Sequence, residues 1–167
     1  LRCAQQLVAM LSQLLPRVLH RLRVRLVLEQ RPLHGGGGKD GAGEDAAPEE
    51  EQSGKGRAIS LTHPVRTRKV GARAFAITGT PSDCVLLATH DLMPDKPDLV
   101  LSGVNRGQNI AEDTSFSGTI AGAMFGMQLG VPSIALSQAQ SFRERGTLPW
   151  DTARAWGAKT LRPLIEM

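Results

Sequence analysis

The segment from residue 98 to 137 combines short apolar runs with a polar, glycine-rich stretch whose chemistry suits an anion. It reads DLVLSGVNRGQNIAEDTSFSGTIAGAMFGMQLGVPSIALS. Glycine lacks the Cβ that would hold a ligand away, so backbone amides can approach closely. The candidate binding residues are Gly103, Asn105, Gly107, Asn109, Ser117, Gly118 and Thr119. The last three open a predicted helix, whose unpaired N–H groups and dipole favour a phosphate.

The residues around this stretch predict a strand, a helix and a second strand that hold it in place. The run Asp98–Ser102 has the length of a buried parallel strand. Ser117 suits a helix N-cap, and Gly130 followed by Pro132 is a stop signal. The run Ser133–Ser137 then predicts the second strand. In open α/β sheets ligands bind at the carboxyl ends of strands, although the stretch could also be only a tight connection.

Length and composition limit the classes of protein to consider. The chain has 167 residues, which is one domain or one domain with a tail. A net charge of +4 is compatible with anionic substrates, but the few aromatic residues do not alternate with basic ones as in nucleic-acid platforms. Only Cys3 and Cys84 are present, so a disulfide framework is not expected and a reducing, cytoplasmic compartment is the default. No apolar run is long enough to span a membrane.

Three regions differ in composition. Residues 1–33 are basic and apolar, which predicts an amphipathic helix with a strand beginning near residues 24–28, although an organelle-targeting segment has a similar composition. Residues 34–52 contain four consecutive glycines and a run of acids, which predicts a disordered linker. Residues 53–167 carry the patterns of an α/β domain.

Within this third region several further elements are predicted. Residues 58–62 alternate between apolar and polar, as in a strand, and residues 65–78 read as a hairpin turning at Gly71. Thr80, Pro81 and Asp83 form a capping box that starts a helix carrying Cys84 inward. A final helix is predicted over residues 150–165.

The motifs together resemble the SurE family of stationary-phase survival proteins. The resemblance lies in SGVN, the second asparagine, the acid pair and SGT of the central segment, in GTPSDC at 79–84, and in AISLTHPVR after Gln52-Ser53-Gly54. It implies a Rossmann-like, three-layer parallel sheet with helices on both faces and a β-hairpin excursion, truncated at both ends. It further implies a homo-oligomeric 5′/3′-nucleotidase that releases phosphate from nucleoside monophosphates with Mn²⁺ or Mg²⁺.

The same resemblance implies Ser53 and Asn105 as metal ligands. The family also uses two adjacent aspartates at the end of its first strand, and residues 1–52 contain no such pair. Two neutral oxygens compensate little cationic charge, so phosphate binding is expected to exceed catalysis, and no catalytic residue is predicted. The alternatives are a non-catalytic nucleotide or phosphate binder of the same fold, or an intact enzyme whose first fifty residues are wrongly recorded.

Overall fold

The computed structural model describes residues 25–28, 43–140 and 150–167. The strands are β1 Arg25–Leu28, β2 Gly43–Pro48, β3 Thr67–Gly71, β4 Ala74–Ile77, β5 Leu99–Arg106 and β6 Ser133–Gln138. The helices are α1 Pro81–Leu87, α2 Asp113–Phe116, α3 Gly118–Gln128 and α4 Trp150–Ile165, and a π-helical turn, Ala88–Leu92, extends α1.

The described strands form one sheet in the order β3-β4-β2-β1-β5-β6. Neighbouring strands are parallel, except that β3 and β4 form an antiparallel hairpin. Helix α1 leads from β4 to β5 and helix α3 leads from β5 to β6, and the two helices contact each other. The predicted α/β class, its parallel sheet and its β-hairpin are therefore confirmed.

Helix α1 begins where the capping box predicts. The Thr80 hydroxyl accepts a hydrogen bond from the Asp83 amide at 3.2 Å, and the Asp83 carboxylate accepts one from the Thr80 amide at 2.8 Å. Pro81 occupies the first helical position, where its missing N–H has no cost. These contacts satisfy helix-end donors that would otherwise lack partners.

The core lies between the sheet and the two packed helices. Its buried members are Ala46, Ile77, Cys84, Val85, Ala88, Met93, Val100 and Val131. Each fully buried Val or Ile side chain contributes about 1.5–3 kcal/mol relative to exposure. Cys84 is buried here, as the sequence predicts for a small apolar residue.

Helix α3 lies unusually close to the strands beneath it. A Cβ at Gly126 would stand 3.0 Å from Cγ2 of Val100 in β5 and would overlap the Ser133 hydroxyl of β6. Gly126 is therefore explained by contact with the sheet. The helix ends at Gln128, and Gly130, which follows the C-cap Leu129, adopts a φ of +71° that favours glycine.

Residues 43–48 were predicted as part of a disordered linker, and this is wrong. They form β2, which pairs with β1 on one side and β4 on the other. Ala46 and Ala47 are fully buried there, so two small apolar residues suffice for a central strand when both neighbours are present. Of the acidic residues that suggested disorder, Glu44 and Asp45 lie in the first half of this strand, and Glu49, Glu50 and Glu51 follow it.

Three smaller differences concern element boundaries. Residues 58–62 form no strand, because Ile59 and Leu61 are exposed and Ser60 is instead bound to the start of α1. Strand β5 continues to Arg106 instead of ending at Ser102, so part of the predicted loop belongs to the sheet. The short helix α2 lies within the stretch predicted as an irregular loop.

The predicted N-terminal helix lies outside the described residues, whereas the strand predicted near residues 24–28 is found as β1. Helix α4 covers the predicted residues 150–165. None of the described helices combines the length and apolar character that crossing a bilayer requires.

The α3–sheet contact predicts the effect of enlarging Gly126. Gly126→Ala should lower the free energy of unfolding by about 1–3 kcal/mol through overpacking, although alanine favours helices more than glycine does. The matched control is Met127→Ala, at an exposed neighbouring position, which should change stability by less than about 0.5 kcal/mol. Urea denaturation measures both, and a Gly126→Ala chain as stable as the parent would contradict the close contact.

Candidate active site

The carboxyl end of β5 carries the first group of predicted site residues. Between Ser102 and Asn105, β5 has one residue more than the paired stretch Ala135–Ser137 of β6, so the strand bulges there. Gly103 is buried at a φ of +128°, and a Cβ on it would collide with the Leu136 carbonyl oxygen. Only glycine suits this position. The sequence suggested a glycine that lets a ligand approach the backbone, but at Gly103 the close neighbour is the adjacent strand.

Asn105 and Gly107 form the turn that follows. The Asn105 side-chain amide donates to the Gly107 carbonyl at 3.1 Å, and the Gly107 N–H donates to the Gln138 carbonyl at 2.9 Å. Gly107 has a φ of +106°, and a Cβ there would meet open space. The Asn105 side-chain oxygen accepts no hydrogen bond from the described residues, so it can bind a ligand.

Asn109 is held against the sheet. Its side-chain N–H donates to the Ser137 hydroxyl at 2.6 Å, which ties the loop to the end of β6. One N–H of the Asn109 side chain is therefore occupied, and the predicted donation to phosphate is left to its second N–H. Ser137 was not predicted to take part, because the pairing joins residues 28 positions apart.

The start of α3 has the features of an anion site. Ser117 is the N-cap, and its hydroxyl accepts from the Ile120 N–H at 3.2 Å. The N–H groups of Gly118 and Thr119 belong to the first turn and have no acceptor within the helix. The Thr119 side chain is 1% exposed, and its hydroxyl has no hydrogen-bond partner. A buried hydroxyl without a partner costs about 1–3 kcal/mol.

Ser102 shows the same feature at the other end of the segment. It is fully buried in β5, and its hydroxyl also lacks a partner. The sequence interpretation placed Ser102 at the edge of the loop without assigning it a function. The sequence does not indicate that Ser102 is special, because a serine before glycine is common in turns. Only the sheet shows that its hydroxyl is buried without a partner.

Ser53 lies in an exposed turn. Its backbone N–H and its hydroxyl both donate to the Glu51 carboxylate, at 3.2 and 2.8 Å. The same turn reaches the start of α3, because the Gly56 N–H donates to the Phe116 carbonyl at 3.0 Å. Gly56 is buried, and a Cβ there would stand 3.0 Å from the Ser115 carbonyl oxygen. The turn of Ser53 and the residues before Ser117 are thus brought together.

Asp83 fixes the segment beyond this turn. Its carboxylate is buried and accepts hydrogen bonds from the Ser60 N–H at 3.1 Å and the Ser60 hydroxyl at 2.7 Å. The Thr80 hydroxyl donates to the Ala58 carbonyl at 2.7 Å. Asp83 therefore caps a helix and also positions residues 58–60, a role that the capping motif alone does not reveal.

Cys84 is not suited to nucleophilic chemistry. Burial, together with the neighbouring Asp83 carboxylate, raises the pKa of the Cys84 thiol far above its usual value. The thiol is therefore protonated at neutral pH, whereas the thiolate is the reactive form.

The described residues do not by themselves fit a divalent cation. Within residues 25–28, 43–140 and 150–167, no group of three or more His, Cys, Asp or Glu side chains could hold a metal ion. The two ligands implied by the resemblance, Ser53 and Asn105, offer neutral oxygens only. Hard cations bind mainly carboxylates, so these two residues would hold one weakly unless other residues contribute negative charge.

The fold and this site define an α/β protein with a candidate anion site at a helix start, and comparisons identify the class. A family model described as "Survival protein SurE" matches residues 45–167. The "5′-nucleotidase SurE" of Hyphomonas neptunium is 85% identical over 122 residues, covering 73% of this chain and 48% of that protein. The corresponding protein of Parvibaculum lavamentivorans is 56% identical over 120 residues, covering 71% of this chain and 43% of that protein.

A solved structure agrees with these relatives. The crystal structure of the SurE protein from Aquifex aeolicus matches with a TM-score of 0.72 and 31% identity, covering 86% of this chain and 60% of that one. The chain belongs to the SurE family. It spans about half the length of the curated relatives it matches.

The Asp83 contacts predict a large effect of a small change. Asp83→Asn replaces one acceptor oxygen by a donor facing the Ser60 and Thr80 donors, so the free energy of unfolding should fall by about 2–3 kcal/mol. Asp91→Asn, at an exposed carboxylate in the π-helical turn, is the control and should change little. Thermal and urea unfolding compare the two. Equal stability of both variants would exclude the proposed positioning role of Asp83.

Proposed function

We propose that the start of α3 binds the phosphate group of a nucleoside monophosphate, and that the chain is part of a 5′/3′-nucleotidase. The observation that carries the proposal is the buried Thr119 hydroxyl without a partner, beside the first-turn N–H groups of Gly118 and Thr119. A phosphate would accept hydrogen bonds from the two N–H groups, and the helix dipole would favour its charge. The Thr119 hydroxyl has less than 1 Å² of accessible surface, so it joins them only when its side chain turns towards the phosphate. The relatives from Hyphomonas neptunium and Parvibaculum lavamentivorans are named 5′-nucleotidases, which supports this choice of anion.

The other predicted residues have supporting roles in this proposal. Gly103 lets β5 bulge against β6, and Gly107 completes the turn that directs Asn105. Asn109 anchors the loop to Ser137, so that the loop does not have to be ordered when substrate binds. The proposal assigns to Asn105 a contact with the phosphate or with a cation, through its side-chain oxygen.

Mn²⁺ or Mg²⁺ remains the expected cofactor, on the resemblance alone. The oxygens of Ser53 and Asn105 would contribute ligands, and the negative charge must come from other carboxylates. No reaction step is therefore derived through the metal. A homo-oligomer likewise remains a prediction from the resemblance.

A second candidate is a binder of nucleotides or phosphate without catalysis. It is favoured by the neutral donor set of Ser53 and Asn105, because a phosphate can bind to N–H and O–H donors without a cation. The two candidates share the anion site and differ only in phosphate release. They are separated by the dependence of binding and turnover on the cation.

The Thr119 hydroxyl provides a test of the binding site. Thr119→Val keeps the side-chain shape and removes the hydroxyl, so affinity for inorganic phosphate should fall roughly tenfold, as for loss of a hydrogen bond to a charged group. Stability without ligand should stay equal or rise, because a buried polar atom without a partner is removed. Calorimetry and urea denaturation measure the two effects.

The matched control is Ser82→Ala, which removes another buried hydroxyl without a partner, in α1. It should likewise leave stability equal or raised, and it should leave phosphate affinity unchanged. If Thr119→Val bound phosphate as well as the parent, the anion site would have to lie elsewhere.

Turnover is tested separately from binding. Nucleoside 5′- and 3′-monophosphates are incubated with the 167-residue chain, with Mn²⁺, with Mg²⁺ or with a chelator, and released phosphate is measured. The nucleotidase proposal predicts release that depends on the cation. Nucleotide binding that is equally tight with the chelator, without any release, would support the non-catalytic candidate.

A further inference from the structure

A cleft beside Ser53 is lined by none of the residues of the proposed phosphate site. Its volume is about 380 Å³, within the range of about 300–1,000 Å³ typical of small-molecule sites. It lies where β2 and β4 end, because the residues directly following both strands line it: Glu49 and Glu50 after β2, Thr78 and Gly79 after β4. This is the carboxyl edge of the sheet, where ligands bind in open α/β folds.

The cleft adjoins the proposed phosphate site. Gln52 and Lys55 line it, and both belong to the turn that contains Ser53. That turn is bound to the residue before Ser117 through the hydrogen bond from Gly56 to Phe116. A ligand whose phosphate lies at the start of α3 can therefore extend along this turn into the cleft.

The walls suit a flat, uncharged group. Ile59 and Leu61 line the cleft with 42% and 83% of their surfaces exposed, so a ligand can cover apolar area that is now in water. Ser60 between them is fixed by its hydrogen bonds to Asp83, at 2.7 Å from its hydroxyl. The backbone that carries the two apolar side chains is thus held in place before a ligand arrives, which lowers the entropic cost of binding.

The charges of the cleft are balanced. Glu49 forms an ion pair with Arg68 at 2.9 Å, and the remaining lining charges are the Glu50 carboxylate and the Lys55 ammonium. A second phosphate would meet Glu50 without an excess of positive charge. Hydroxyl groups, in contrast, can donate to Glu50 and to the Gln52 side-chain oxygen, neither of which is hydrogen-bonded to another described residue.

We infer that this cleft binds the nucleoside of the substrate, with the base against Ile59 and Leu61 and the sugar hydroxyls near Glu50. The inference rests on the proposed function, because it takes the phosphate to lie at the start of α3. It makes residues 59–61 determinants of substrate size: a phosphomonoester without a base would leave the apolar wall uncovered. It also favours monophosphates over nucleotides with longer phosphate chains.

Adenosine, inorganic phosphate and adenosine 5′-monophosphate are the probes, each titrated into the ¹⁵N-labelled 167-residue chain. Adenosine should shift the amide signals of Ser60, Gly79 and Thr80, whereas inorganic phosphate should shift those of Gly118 and Thr119. The monophosphate should shift both groups and bind more tightly than either part. Adenosine shifts confined to residues outside the cleft, or a monophosphate no tighter than inorganic phosphate, would overturn the inference.

The double variant Ile59→Ser/Leu61→Ser removes the apolar wall at two exposed positions. Affinity for adenosine should fall roughly fivefold or more, while affinity for inorganic phosphate stays unchanged. Leu164→Ser, at an exposed leucine of α4 outside the cleft, is the control and should leave both affinities unchanged. Unchanged adenosine affinity in the double variant, with a parent-like circular dichroism spectrum, would refute the cleft assignment.

The two proposals fail in different ways. If adenosine binds in the cleft but inorganic phosphate shifts no signal at the start of α3, the proposed function fails and the cleft assignment stands. If phosphate binds at the start of α3 and adenosine does not bind in the cleft, the nucleoside assignment alone is wrong.

Discussion

The contact between α3 and strands β5 and β6 is the constraint on which the candidate site depends. Gly126 allows the helix to lie against Val100 and Ser133, and Gly103 allows β5 to bulge against the Leu136 carbonyl. A rigid helix seated on two strands has a fixed starting point. The N-cap Ser117 therefore has a fixed position relative to the turn of Asn105 at the end of β5. Protein interiors are close-packed, so even one added methyl group changes the stability or the position of the packed elements.

Much of this fold could be predicted from local signals. The capping box at Thr80, the N-cap at Ser117 and the stop at Gly130 are short-range patterns with a direct structural cause, and all three are found. Strand β2 could not be predicted in the same way. Its buried centre consists of Ala46 and Ala47, which have little intrinsic preference for strands, and only pairing with β1 and β4 makes them part of the core.

In the candidate site, too, some features follow from local sequence patterns and others only from long-range contacts. A helix start with small polar residues is a local sequence pattern, so Ser117, Gly118 and Thr119 can be predicted from it. The links from Ser60 to Asp83, from Gly56 to Phe116 and from Asn109 to Ser137 join distant positions, and no local pattern reveals them. These long-range links fix the turn of Ser53 and the wall of the cleft.

The central claim is that an anion binds at the start of α3, and a heavy tetrahedral oxyanion tests it most directly. Crystals of the 167-residue chain soaked in tungstate allow the anion to be located by its anomalous scattering. The account predicts a peak within hydrogen-bond distance of the backbone nitrogens of Gly118 and Thr119 and of the Thr119 hydroxyl. Well-diffracting soaked crystals with tungstate bound only at other positions, and none at this helix start, would contradict it.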